Sequence, residues 1–470
     1  MRKASTGFIT EQRYIMNKNI SNKDFYGKLV KLILPMTLQN FMFALIPVSD
    51  TLMLVTLDQD QMSAVSLASQ AMFVLNMFLY ALISGMSMFA AQYWGKKDIK
   101  SIEKILGYTL RITLPMVFIF FAMALFCPLG IMRIFTNVPS IIEYGIGYLR
   151  FVSLAYILDG LAQVLAAILK NVELVKESTI ISVFMVVTNI GLNAVFIFGL
   201  LGAPAMGARG AALATTITSA IGFIGALIVL RTKSKVKIDK KLIFRTDKEL
   251  RSDFSKYSGP LLANNLFWGL GFTMISVIIG HLGGDAVAAN AVAAQVKDLV
   301  SCFCFALAAG GSIVVGNELG AGNLDTAKDY GDRLFKISVV SGLILGAITA
   351  ALTPVILAMV DLTPTAEKYL MWMLLMCLYY IMGRSINSVV ISGIFAAGGD
   401  TKFGMICDTV TMWCFIVPIG ALLAFIIKIP VVWVCFFLYL DEMVKIPVVY
   451  KHYKKYKWVK NLVDKTAAEA

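Results

Sequence analysis

The sequence predicts an all-α polytopic membrane protein, with twelve transmembrane helices in two six-helix bundles related by a pseudo-two-fold axis along the membrane normal. Three observations predict it. The 470-residue chain is 58% hydrophobic and only 15% charged, where soluble domains run about 25% charged. Apolar stretches long enough to cross a bilayer recur between short polar loops. The chain also matches itself at a shift of 225 residues, as in Pro35 with Pro260.

The twelve spans are expected at 29–57, 63–92, 105–128, 142–169, 178–200, 209–230, 257–281, 286–316, 332–359, 366–396, 403–427 and 429–449. Spans of this composition are helices, because a helix satisfies its own backbone polar groups in lipid. The polar N-terminus lacks a compact apolar core with a small-residue cleavage site, so no cleaved signal peptide is expected. The first span serves as the insertion signal.

Lys and Arg set the orientation. Arg2, Lys3, Arg13, Lys18, Lys23 and Lys28 lie before the first span. GKKDIKSIEK follows the second span, and YKHYKKYKWVK follows the last. The loop 231–256 holds ten basic residues. The alternate loops DQDQ, NVPSIIE, HLGGD and DLTPTAEK are nearly free of them. Both termini are therefore expected in the cytoplasm of a multi-pass protein of the cell (inner, cytoplasmic) membrane. The expected organisation is a tail 1–28, a first lobe 29–230, a basic linker 231–256, a second lobe 257–450 and a tail 451–470. The net charge of +13 follows this positive-inside pattern, so no nucleic-acid partner is expected. The linker's basic run reads as a solvated topogenic segment, with a lipid-binding or partner role as the alternative.

At the shift of 225 residues Asn40 meets Asn265, Ala64 meets Ala289 and Gln70 meets Gln295. Gly85 meets Gly310, Ser87 meets Ser312, Gly95 meets Gly320, Pro139 meets Pro364 and Tyr144 meets Tyr369. Each repeat holds an even number of spans, so both insert the same way round. Transporters built so place substrate between the lobes and rock one lobe against the other. Pro35 and Pro260 sit early in the first helix of each lobe, where a proline removes a backbone hydrogen bond and bends the helix. The bend is either static or a hinge.

One carboxylate, Asp50, lies in the apolar first span. A charge there is expensive and marks a functional site by default. Asn189 and Asn193 in the fifth span share a face, being four residues apart. Thr215 lies early in the sixth. At about 1.5 Å per residue these groups reach one depth in the outer half of the membrane. A carboxyl group held away from water gives up its charge more readily, so it can load and release a proton. The same oxygens could ligate sodium, or the cluster could simply tie helices together.

The second lobe has Ile275 where the first has Asp50. It carries Lys297, Asp298, Arg384 and Asp408 within apolar spans, which should pair with one another, as a structural network or in substrate or proton handling. Asp159 aligns with Arg384. A flexible lining drawn from the 24 Met residues would suit varied apolar ligands.

Other classes fit poorly. Seven Cys lie in apolar stretches without CxxC spacing, and His281 and His452 are isolated, so no disulfide scaffold, metal site or cofactor is expected. No catalytic cluster is present, so the chain is read as no enzyme.

The chain resembles the multidrug and toxic compound extrusion (MATE) transporters over about residues 25 to 450. The resemblance rests on Pro35 with the SDT of Ser49–Thr51, on GARGAALAT at 207–215, on GNELGAGN at 316–323 and on GGDTKFG at 398–404. It implies an antiporter that expels drugs or small amphipathic, cationic compounds against protons or sodium, acting as a monomer on a small-molecule substrate in the bilayer. It also implies a V-shaped central cavity and an ion site in the first lobe, which by position falls on Asp50, Asn189, Asn193 and Thr215. Some members have a second Asp where this chain has Asn193. Others have an acidic residue in the seventh helix, which this chain lacks, so a second-lobe coupling site would use Asp298 or Asp408. The alternative reading is a lipid-linked saccharide flippase of the related superfamily, which calls for a strongly basic cavity.

Overall fold

A computed structural model of the chain describes residues 2–238, 242 and 248–464, with side chains described from Phe25 onward and not at Val55 or Glu249. The basic side chains of the N-terminal tail before Phe25, and Lys240, Lys241 and Arg245 of the linker, lie outside the described residues.

The first half contains α1 (Arg2–Val55), α2 (Gln59–Gly95), α3 (Ile99–Phe126), a short α4 (Pro128–Phe135), α5 (Pro139–Asn171), α6 (Val175–Phe198) and α7 (Ala208–Lys233). The second contains α8 (Lys248–Gly280), α9 (Gly284–Gly320), α10 (Leu324–Met359), α11 (Pro364–Phe395), α12 (Thr401–Ile427), α13 (Val431–Leu438) and α14 (Asp441–Tyr453). Among the described residues, eleven helices are long and apolar enough to cross a membrane. The twelfth expected span, 429–449, departs from the sequence expectation. It is broken at Tyr439 and Leu440, whose amides close a turn onto Cys435 and Phe437 at 3.0 Å. Asp441 and Glu442 then open α14, as acidic residues favour a helix N-terminus. α11 and α12 are also irregular, running through π-helical turns at Ser388–Phe395, Thr411–Ile416 and Leu422–Ile427.

Turn chemistry sets the helix starts. Asp58 accepts from Asp60 N to begin α2, and Asp98 accepts from Ser101 N to begin α3. Before α7 the chain passes through Gly207 at φ +54°, where a Cβ would lie 2.1 Å from Gln61 Oε1. That oxygen accepts from Ala208 N at 2.8 Å, so Gln61 of α2 caps α7 across the half.

The core is layered in four clusters. In the first half, Leu54, Val65, Leu149 and Ile197 belong to one and Phe89, Ile102, Leu169 and Leu230 to the other. In the second half, Ile275, Leu370 and Cys435 belong to one and Leu307, Val389 and Trp458 to the other. The terminus-bearing ends of the two first helices are exchanged. Phe25, Leu29 and Met36 of α1 pack into the second half's cluster, while Phe254 of α8 packs into the first half's.

The contacts between the halves obey the 225-residue repeat. Asn40 Nδ2 donates to the Cys302 carbonyl at 3.1 Å, and its mate Asn265 donates to Met77 at 3.5 Å. A Cβ on Gly95 would lie 1.9 Å from the Asn317 carbonyl oxygen, and one on Gly320 would lie 1.9 Å from that of Gln92. These backbones meet because neither helix end carries a side chain there.

Residues 454–464 fold back against this junction. Trp458 is fully buried, and its indole donates to the Tyr453 carbonyl at 3.3 Å. Leu462 N donates to Gln92 Oε1 at 2.7 Å, and Gln92 Nε2 donates to the Ala397 carbonyl at 2.7 Å. Leu462 and Val463 pack into the first half.

Candidate ion-coupling site

α1 carries Asp50 against α6, because its face opposite the exposed Val48 and Leu52 meets that helix. Asn193 Nδ2 donates to Asp50 Oδ1. Asn189, one turn away, accepts from Asn193 Nδ2 at 3.1 Å. Asn189 Nδ2 donates to Thr218 Oγ1 at 3.4 Å, and Thr218 donates to the carbonyls of Ala214 and Thr215 at 2.9 and 3.0 Å. Asp50 is half-buried, while Asn189 and Asn193 are 1% and 0% exposed.

The chain of polar groups thus runs Asp50, Asn193, Asn189, Thr218 across three helices. Thr215 stands one turn off, half-buried, and among the described residues its hydroxyl makes no hydrogen bond to the cluster. Depth along α7 fits either threonine, but the rotation of α7 turns Thr218 toward α6. The buried Asn193 Oδ1 has no hydrogen-bond partner among the described residues, so the cluster holds one acceptor beyond the carboxylate. A second proline, Pro47, lies inside α1 three residues before Asp50. It frees the carbonyl of Phe43, as Pro35 frees that of Lys31 and Pro260 that of Lys256. The backbone stays helical through all three.

The second half keeps the geometry and changes the chemistry. In the first half Gln39 Nε2 donates to Ser182 Oγ at 2.6 Å, bridging α1 and α6. In the second, Asn264 Nδ2 donates to Asp408 Oδ2 at 3.1 Å, bridging α8 and α12. The expected pairing of Lys297, Asp298, Arg384 and Asp408 with one another is not what the structure has. Arg384 binds Glu442 at 2.8 Å, and Lys445 bridges Glu442 and Asp408 at 3.0 Å each. Asn387 Nδ2 donates to Glu442 Oε2 at 2.8 Å. The partners come from α14. The visible signal was Glu442 and Lys445, opposite charges three apart inside an apolar run.

Lys297 is 6% exposed and makes no ion pair among the described residues. Its Nζ lies 3.9 Å from the Tyr439 ring centroid and 4.9 Å from that of Tyr380, a cation–π arrangement. Asp298 is exposed, one turn from Cys302, whose carbonyl receives Asn40. Asp159 accepts from Gln163 at 2.6 Å, and Gln163 also donates to Asn76 at 3.0 Å. Among the described residues no group of three His, Cys, Asp or Glu could hold a metal ion.

The MatE family pattern matches residues 35–195 and 260–435, two segments whose starts differ by the repeat distance. The chain belongs to the MatE family. Among MatE relatives, the chain is similar to an uncharacterized transporter, YisQ of Bacillus subtilis, with 22% identity over 454 residues, 94% of this chain and 96% of that one. It is similar to YoeA of Bacillus subtilis, a probable multidrug resistance protein, with 25% identity covering 80% and 82% of the two chains. A crystal structure of MATE in the bent conformation shares the fold at TM-score 0.84 and 17% identity, covering 96% and 99%. A MatE chain is a secondary transporter of small molecules across a lipid bilayer, working by alternating access, and not an enzyme.

Proposed function

We propose that this MatE protein is an exporter of amphipathic organic cations, driven by protons that bind Asp50. The lobes are 29–230 and 257–450, joined by the linker 231–256, and both termini face the cytoplasm of the cell membrane. The exporter works as a monomer. The reading rests on one observation, the bond from Asn193 to Asp50 with a second, unpartnered oxygen on the same amide side chain. An amide oriented this way can donate to a carboxylate, and an amide turned over can accept from a protonated carboxyl. One side chain thus serves both states of the acid. Sodium asks for a cage of several oxygens, and this cluster offers a single charge.

Loading a proton removes a charge from α1 next to Pro47. Neutralised, the helix can bend at Pro35 and close the cleft on one side as it opens on the other. A structure of the same fold described as being in a bent conformation is in keeping with such a movement. The flippase reading loses support because Arg384 and Lys445 are held by carboxylates, not displayed for a diphosphate.

The test is efflux by purified protein in proteoliposomes, with proton and sodium gradients imposed separately on a panel of cationic dyes. Efflux should follow the proton gradient, and Asp50→Asn should abolish it. A variant that still accumulates dye against its gradient removes Asp50 from the mechanism. Dependence on sodium alone replaces the proton.

A further inference from the structure

The second lobe buries more ionic groups than its ion pairs use. Arg384, Lys445, Glu442 and Asp408 pair with one another, two cations against two carboxylates, with Asn387 and Asn264 donating to the acids and only Arg384 Nε left over. Asp441 stands apart. It is 2% exposed, and both of its carboxylate oxygens are buried without a hydrogen-bond partner among the described residues. The first free amides of α14 do not serve it, since Met443 N and Val444 N are taken by the Leu440 carbonyl at 2.9 and 3.0 Å. Lys297, on α9, is the matching loose end, buried over Tyr439 and Tyr380 with, among the described residues, no acid on its ammonium.

An ionised carboxylate with no donor, out of water, is among the costliest arrangements a protein can hold, and the usual relief is to take up a proton. The titratable and charged groups around Asp441 are Lys297 from α9, Tyr379, Tyr380 and Arg384 from α11, and Glu442 and Lys445 from its own helix. Arg384 and Lys445 are committed to other carboxylates. Lys297 is the only one of these cations free to approach Asp441, and leaving the rings of Tyr439 and Tyr380 would cost a cation–π contact that a salt bridge can replace.

We propose that Asp441 is a second proton-binding site, in the second lobe, and that Lys297 is the internal cation that displaces its proton when the lobes rearrange. With Lys297 over the aromatic rings, Asp441 holds a proton. When Lys297 swings onto Asp441, the carboxyl O–H bond breaks, the proton leaves for water and an ammonium–carboxylate pair takes its place. The site is independent of the Asp50 cluster, which lies in the other lobe.

The experiment is pH-difference infrared spectroscopy of the purified full-length protein in detergent, in the Asp50→Asn background so that Asp50 contributes nothing. The protonated-carboxyl stretch should persist in Asp50→Asn, lose one carboxyl equivalent in Asp50→Asn/Asp441→Asn, and shift in frequency in Asp50→Asn/Asp441→Glu, which keeps a carboxyl where the amide might not fold. Adding Lys297→Gln should leave the Asp441 band present but insensitive to pH. A spectrum unchanged by both substitutions at Asp441 overturns the site. A Lys297→Gln band that still titrates as before overturns the displacement. Neither outcome bears on Asp50, whose test is proton-driven efflux in the otherwise native chain.

Discussion

Asn193 donates a hydrogen bond to Asp50 across the α1–α6 contact, while the equivalent positions of the second half, Ile275 and Pro418, are apolar. The repeat has kept the helices and discarded the chemistry on one side. The carboxylate–amide pair at this depth is therefore present in the first lobe and replaced by apolar side chains in the second.

Asn193→Ala should leave Asp50 without its donor and cost roughly 1–3 kcal/mol of stability. Proton-driven efflux should fall about tenfold, with folding retained. Thermal unfolding in detergent and proteoliposome efflux measure the two effects side by side. Equal efflux from both proteins would show that the amide is only packing.

Thr218→Val should weaken the cluster more than Thr215→Val, because Thr218 holds Asn189 and Thr215 does not. The expected loss is about 1 kcal/mol for the first and much less for the second. Thermal midpoints of the two variants, compared with efflux, rank them. The reverse ranking would restore Thr215 to the site.

Glu442→Gln removes the carboxylate shared by Arg384 and Lys445. Breaking a buried pair by deleting one partner costs roughly 3–5 kcal/mol. Replacing both partners, Glu442→Gln with Arg384→Met, should recover part of that loss. A double-mutant cycle by thermal unfolding gives the coupling, and strict additivity would mean that the 2.8 Å contact carries no interaction energy.

Gly320→Val places a side chain where a Cβ already lies 1.9 Å from the Gln92 carbonyl oxygen. The halves must part at this junction, so the variant should favour the arrangement open at the terminus-bearing end. A cysteine at Ala91, buried in the native contact, should react with a polar maleimide about tenfold faster, in line with a shift of roughly 1.4 kcal/mol. An unchanged rate would mean that the helix ends absorb the side chain locally.

Much of this was legible beforehand, for physical reasons. Asn40 and Asn265 could be paired on the sequence alone because both donate to a backbone carbonyl of the other half, and Pro35 and Pro260 because they hold the same place in the first helix of each half. Asp50 stood out because a lone carboxylate in an apolar span has few uses, and Asn189 with Asn193 because helical phase puts them on one face. Thr218 was missed because depth along a helix says nothing about its rotation relative to a neighbour. Asp441, Glu442 and Lys445 were missed because their stretch was read by average hydrophobicity. A break at Tyr439 and Leu440, visible only in three dimensions, turns those residues into the start of a separate helix.

The exchange of Phe25 and Phe254 between the halves has a consequence for how the molecule can be built. Each lobe lacks part of its own floor and borrows it from the other, so a lone lobe made separately would carry an unfilled gap and aggregate. Two fragments split within residues 239–247 and produced together would each bring the missing plug. They should reunite into one working transporter without a covalent link.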